Sequence, residues 1–196
     1  MRKLIVCNIV SLDGYFTGTG GDVMVMPFDQ GFSEYNAERL RSAGTLLLGR
    51  TSYDGFKGYW PPVQDDPEAP ELEREISRLN TAVDKVVVSD TLTEDEAAEW
   101  KNTRVVRRAD AHKAVEELKR EDGDDILVFG SHVLWNDLLA AGLVDELHLM
   151  IGPGALGAGV PAFEVPAALR LLDTRTWDDS SLVLLRYAVS SAAVQE

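Results

Sequence analysis

Short apolar runs recur along the chain, and most of them end at a glycine or a serine. Residues 2–10 (RKLIVCNIV) are β-rich without a clean alternation, the pattern of a strand buried on both faces. TLLLG (45–49), DKVVVS (84–89), RVV (104–106), ILVFG (126–130) and VDELHLMIGP (144–153) read as further strands. Two more runs, around 169–177 and 181–189, suit an antiparallel pair. Helical spacing appears at 31–42, with Gly44 as its stop, from RTSYDGF onward, and at 71–80. It appears again at 110–121, with Asp110 as N-cap, and at 131–142, framed by Ser131 and Gly142. Residues 11–22 form a glycine-rich loop. Residues 61–70 (PPVQDDPEAP) hold four of the eight prolines and several acids, so a surface excursion is expected there. Strands alternate with helices and then finish the chain. This order predicts a single α/β domain over 1–196, with a mostly parallel sheet and antiparallel C-terminal edge strands. No repeat, heptad run or internal boundary interrupts it.

Composition narrows the function. A chain of 196 residues with 45% hydrophobic residues can bury a core without disulfides or metal. The single cysteine, Cys7, excludes an internal disulfide and a four-cysteine zinc site, and a reducing, cytoplasmic setting is the expectation. The formal net charge of −14 argues against nucleic-acid or anionic-membrane binding. No apolar run approaches the roughly 20 residues of a bilayer span. The opening MRKLIVCNIVSLDG lacks a small-residue cleavage site and is read as a first strand, not a signal peptide. His112, His132 and His148 are too scattered for metal-ligand spacing, so no metal is expected. No G-x-S-x-G elbow occurs, and Cys7 is treated as a small apolar side chain.

Ligands of open α/β sheets bind beyond the carboxyl ends of the strands, so the residues just after each strand carry the candidate chemistry. In LLLGRTSY (46–53) a glycine ends a strand, and Arg50 and Thr51 open a helix whose free N–H groups favour an anion. A turn glycine beside a surface arginine explains the same letters equally well. In ILVFGSHVL (126–134) Gly130 would admit a close pyrophosphate, although a plain tight turn also needs it. In VVVSDTL (86–92) the serine suits a ribose contact or a cap for its own turn. The three turns together would line one sheet edge.

These segments carry a resemblance. SLDGYF (11–16), LLLGRTSY (46–53), VVVSDTL (86–92) and VFGSHVLWNDLLAAGLVDELHLMIGPGALGAG (128–159) resemble, in order, the dihydrofolate-reductase superfamily. They are more similar to its branch containing the reductase domain of the bacterial riboflavin-pathway bifunctional enzyme. The resemblance implies a dihydrofolate-reductase-like three-layer sandwich and an NADPH-dependent reductase of a small heterocycle, with NADH as the alternative cofactor. It places Gly49, Arg50 and Thr51 at the adenosine-side phosphates and Ser89 near the adenine ribose. Gly130, Ser131, His132 and Val133 fall under the pyrophosphate. Ile9 and Asn8 would face the nicotinamide and the substrate ring. Loop 14–24 matches a mobile lid, with Phe16 near the nicotinamide ribose; Met24 and Met26 are lid residues or core filling. A homodimer is implied, with LVDELHLMI and the following glycine loop in its region.

Two positions depart from the family. Where dihydrofolate reductases carry a helix carboxylate, this chain has Ser33, with Glu34 beside it as the candidate proton donor. Asp90 follows Ser89 where the family often carries a positive or neutral residue beside the extra phosphate of NADPH; Arg50, Arg107 or Arg108 would have to offset it. Trp60 is either a ring-stacking substrate contact or cover for the core. Asp13 is read as an Asx-type turn residue that orders the lid. The competing reading is a non-enzymatic dinucleotide- or flavin-binding dimer of the same fold, supported by Ser33. A stand-alone riboflavin-pathway reductase ranks below both, because few basic groups mark the substrate end.

Overall fold

The structure, a computed structural model, describes residues 1–190. In chain order the strands are β1 (Leu4–Val10), β2 (Tyr15–Thr17), β3 (Ala43–Gly49), β4 (Asp84–Val88), β5 (Thr103–Val106), β6 (Asp125–Phe129), β7 (Glu146–Ile151), β8 (Val160–Pro161), β9 (Leu169–Trp177) and β10 (Ser180–Val189). The helices are α1 (Gln30–Arg41), α2 (Arg50–Val63), α3 (Glu71–Ala82), α4 (Glu94–Ala98), α5 (Ala111–Arg120) and α6 (His132–Ala140). Eight strands form one sheet in the order β5-β4-β3-β6-β1-β7-β10-β9. Six are mutually parallel, from β5 across to β7. β10 is antiparallel to β7, and β9 to β10. β2 and β8 make a separate antiparallel pair.

The predicted α/β architecture, with its parallel centre and antiparallel end, is the architecture observed. β1 explains why its letters do not alternate: all seven residues are buried. Ile5, Cys7 and Ile9 enter a core under α1–α4 that includes Tyr35, Tyr53, Ile76 and Trp100. Leu4 and Val6 enter the opposite core under α5 and α6, with Val115, Leu118, Trp135 and Leu138. Helices thus cover both faces in three layers, as a parallel sheet requires. Trp135 is fully buried, and truncating it to alanine would cost about 3–5 kcal/mol.

A polar chain crosses the first core. Tyr35 Oη lies 2.9 Å from His148 Nδ1, and His148 Nε2 lies 2.8 Å from Glu146 Oε2. Lys3 Nζ donates to Glu146 Oε1 at 2.6 Å. The geometry assigns the Nε2–H tautomer, with Tyr35 donating to Nδ1. Burial pushes the His148 pKa down to about 4. Burial would raise Glu146, but the hydrogen bonds from Lys3 and His148 prevail and hold it below its ordinary value. The pair is therefore a carboxylate and a neutral imidazole.

Three boundaries differ from the expectation. Gly44 lies inside β3, where a Cβ would meet Arg2 Nη2 at 3.0 Å and the Asp124 backbone at 3.2 Å. The stop of α1 is Ser42, whose N–H and hydroxyl both donate to Arg39 O. Asp110 ends a 3-10 turn (Arg108–Asp110), and its side chain caps nothing in α5. α2 takes in Pro61 and Pro62, so the excursion begins at Gln64. Those prolines sit in the last turn, where each removes an N–H that would donate to the carbonyl four residues back, and Ser77 Oγ donates to the Trp60 carbonyl at 2.5 Å.

Candidate functional site

The carboxyl ends of β3 and β6 lie side by side, and each opens directly into a helix. The first-turn N–H groups of α2 and α6 have no intrahelical acceptor, so two positive helix ends meet at one edge of the sheet. Side chains fasten the two turns together. Ser131 Oγ accepts from Gly49 N at 3.0 Å and donates to Phe129 O at 3.1 Å. Ser131 N donates to Ser52 Oγ at 2.8 Å. Gly130 and Ser131 both adopt left-handed backbone, with φ of 57° and 52°. A Cβ at Gly130 would stand 2.8 Å from Ser52 Oγ, so glycine is required both for its φ and for the close approach.

Asn8 was expected to face the substrate. It is instead buried, and its amide is turned onto Gly130: Gly130 N donates to Asn8 Oδ1 at 2.6 Å and Asn8 Nδ2 donates to Gly130 O at 3.3 Å. Its place on β1, beside β6, makes it a brace for the corner. His132 also departs from its expected position under a phosphate. Its Nε2 donates to Pro161 O (2.8 Å) and Ala162 O (3.1 Å), and its ring lies 4.9 Å from that of Phe16. Phe16 and His132 thus hold the β2–β8 pair against α6. Asn136 reinforces this by donating to Ala162 O and accepting from Glu164 N.

Toward β4 and β5, Ser89 is 2% exposed, and its hydroxyl accepts from Thr91 N and Leu92 N. It caps its own turn, and a ribose contact would have to come from the backbone around it. Arg107 Nη1 donates to Ser89 O and Leu92 O. Asp90 Oδ1 accepts from Arg108 N at 2.9 Å, with the Arg108 side chain 3.8 Å away, so its charge is partly offset in place. Arg50 pairs with Asp54 at 2.7 Å and Glu96 at 3.5 Å, which raises its pKa. Thr51 and Val133 are exposed in the first turns of α2 and α6.

Toward β1 and β7, Ile9 is 7% exposed at the end of β1. Asp13 accepts from Ser11 Oγ, Leu156 N and Gly157 N, which depresses its pKa to about 2 and ties the first turn to the later glycine loop. Ser33 closes the first turn of α1 and Glu34 follows it, accepting from Gln30 Nε2 at 2.8 Å. Trp60 is partly buried against the core, edge-on to Tyr59. The structure thus gathers Gly49, Arg50, Thr51, Gly130, Ser131 and Val133 at one pair of turns. Phe16 and His132 lie on the flank, and Ser33 and Trp60 lie on covering helices. Ser52 was the residue missed, although it stands inside the RTSY segment. A cavity of about 560 Å³ opens at the other, amino-terminal edge. Its buried basic groups are already engaged, Arg2 with Asp124 O and Thr45 Oγ1, and Lys85 with the Asn80 and Val83 carbonyls. The helix ends and glycine corner therefore mark the carboxyl edge as the candidate site.

The fold is that of the dihydrofolate-reductase-like reductase domains. The RibD C-terminal domain family matches residues 2–185, and the chain belongs to that family. It is 33% identical over 192 residues to the uncharacterized protein YyaP of Bacillus subtilis (strain 168), covering 95% of this chain and 94% of that one. A similar solved structure is the diaminohydroxyphosphoribosylaminopyrimidine deaminase/5-amino-6-(5-phosphoribosylamino)uracil reductase of Thermotoga maritima. It has a TM-score of 0.66 and 13% identity, covering 96% of this chain and 57% of that one. Another is the riboflavin biosynthesis reductase Rib7 of Saccharomyces cerevisiae, with a TM-score of 0.59 and 16% identity, covering 96% and 90%.

Proposed function

We propose that this chain is an NAD(P)H-dependent reductase of a small heterocycle, acting as a homodimer. The observation that carries the reading is the paired amino termini of α2 and α6, fastened by Ser52 and Ser131 around Gly130. The donor set fits a dinucleotide. Arg50 and the first turn of α2 would hold the adenosine-side phosphates, and the first turn of α6, with Val133, would hold the pyrophosphate. Arg107 and Arg108 lie beyond Ser89, on the side where the extra phosphate of NADPH would fall, and favour NADPH over NADH. When bound, the dinucleotide supplies a hydride. The protein's part is to fix the two rings in contact and keep water out. Ile9 forms the floor, Phe16 the flank, and α1 with Ser33 and Glu34 the wall facing the substrate. We assign the proton donor to Glu34, the carboxylate next to Ser33 on that helix.

The test is a titration with NADPH and NADH followed by intrinsic tryptophan fluorescence, with Arg50→Ala in parallel. We expect saturable NADPH binding, weakened about tenfold in Arg50→Ala, the effect of one charge-assisted contact. Failure of both dinucleotides at millimolar concentration overturns the reading. Light scattering of the same sample tests the dimer. Ser33, at the family's carboxylate position, favours a second reading, a non-enzymatic dinucleotide- or flavin-binding dimer. Saturable binding without hydride transfer to any ring in a broad panel would select it.

A further inference from the structure

Charge is distributed unevenly along the carboxyl edge. The β3–β5 half carries Arg50, Arg107 and Arg108. The other half has no such group. The chain has no lysine or arginine between residues 4 and 38 or between 121 and 169. In this half they supply the turns after β1 and β7 and the start of α1, while the turn after β6, with the amino terminus of α6, belongs to the dinucleotide half proposed above. The β9–β10 turn completes the rim, because Ser180 Oγ donates to Asp29 Oδ2 at 2.7 Å and Gly31 packs against Ser180 and Trp177. It adds Asp178 and Asp179 to a rim already carrying Asp22, Asp29 and Glu34. The guanidinium nearest this turn along β9, Arg175, is held by Glu38 at 2.8 Å. The one imidazole, His132, spends its Nε2–H on the Pro161 and Ala162 carbonyls. Even the amino terminus of α1 is neutralised, since Asp29 Oδ1 accepts from Phe32 N at 3.2 Å. The same rim exposes apolar side chains: Leu12 is 66% exposed, Met24 74% and Phe28 40%.

We propose that this half of the carboxyl edge takes a flat, uncharged ring without a phosphate and discriminates against the phosphorylated form of the same ring. The inference rests on the dinucleotide orientation proposed above, which leaves this half to the substrate. A phosphate is held by arginine, lysine or free helix-end N–H groups. Here the cations are absent, the one helix end is capped by a carboxylate, and the surrounding acids repel a dianion. Apolar side chains in the same rim gain from covering a neutral ring. The chain would then differ in substrate charge from the Thermotoga maritima reductase, whose name carries a phosphoribosyl group.

Calorimetric titration of the whole protein with matched pairs tests this, both free and with NADP⁺ present. The pairs are uridine and its 5′-monophosphate, 6-hydroxymethylpterin and its monophosphate, and riboflavin and flavin mononucleotide. In every pair that binds, the neutral member is expected to bind at least tenfold tighter. The gap should narrow at 0.5 M NaCl and in the double variant Asp178→Lys/Asp179→Lys. Equal or tighter binding of a phosphorylated member overturns the proposal, as does failure of every neutral ring at millimolar concentration. The NADPH titration on the same preparation separates the two readings. Loss of dinucleotide binding removes the reductase, whereas a phosphate-tolerant ring site beside normal NADPH binding removes only this inference.

Discussion

Substituting Gly130 tests the corner on which the site is built. An alanine there must hold φ near +57° and place its Cβ 2.8 Å from Ser52 Oγ. The left-handed conformation costs an L-residue about 1–2 kcal/mol. Ser52 must also rotate away, forfeiting the hydrogen bond from Ser131 N at 2.8 Å, for about 1 kcal/mol more. The total of about 2–3 kcal/mol corresponds to a fall in Tm of roughly 5–10 °C for a domain of this size. Ser52→Ala alone loses the same hydrogen bond and is expected to cost about 1 kcal/mol. In the double variant that bond is lost only once and the collision is relieved, since the next atom, Ser52 Cβ, lies at 3.6 Å. Urea unfolding of the wild type, both single variants and the double variant closes the cycle, with an expected coupling of about 1 kcal/mol in the relieving direction. Additivity within about 0.3–0.5 kcal/mol would refute the account of the corner, because the two residues would then act independently.

His148 gives the protein a pH dependence. Its pKa is lowered to about 4, so the unfolded chain takes up a proton before the folded one does. Stability is therefore full above about pH 6.5 and falls as pH drops toward 4, by about 3 kcal/mol in all; urea midpoints that stay level between pH 6.5 and 5 contradict this. Glu34→Gln is expected to lower kcat about a hundredfold while leaving the NADPH Kd unchanged, as for a general acid; an unchanged kcat removes Glu34 from the chemistry. Gly159→Ala, at φ 152°, would press its Cβ onto the Thr17 carbonyl oxygen and part β2 from β8. We expect a loss of at least about 1–3 kcal/mol, read as an earlier urea midpoint.

The strands were legible because their letters report burial. LIVCNIV, LLLG and ILVF are continuous apolar runs that only a strand covered on both faces accommodates. β9 and β10 were legible as the closing antiparallel pair. α4 was missed although its signal was present: Thr93 and Glu96 form a capping box, but five residues are too few to show a helical period. β2 and β8, three and two residues long, are too short to leave a pattern. At the site, the turns could be placed from their glycines. Their internal wiring could not, because Asn8 and Gly130 are 122 positions apart and Ser52 and Ser131 are 79 apart. No local rule links such residues. His132 was misplaced for a related reason: its partner carbonyls, on Pro161 and Ala162, come from a segment whose path depends on the whole fold.

The fastening of the β3–α2 and β6–α6 turns also bears on how ligands arrive. Those turns are organised by bonds among their own residues, so a nucleotide docking there would find its partners already ordered. The opposite rim is built from residues 18–29, with three glycines and one 3-10 turn as its regular structure. Were the ring to bind there as proposed, more of the entropy of ordering would fall on that side. Nucleotide association should be fast and weakly temperature-dependent, ring association slower and steeply so, and whichever ligand settles that rim first lightens the burden for the other.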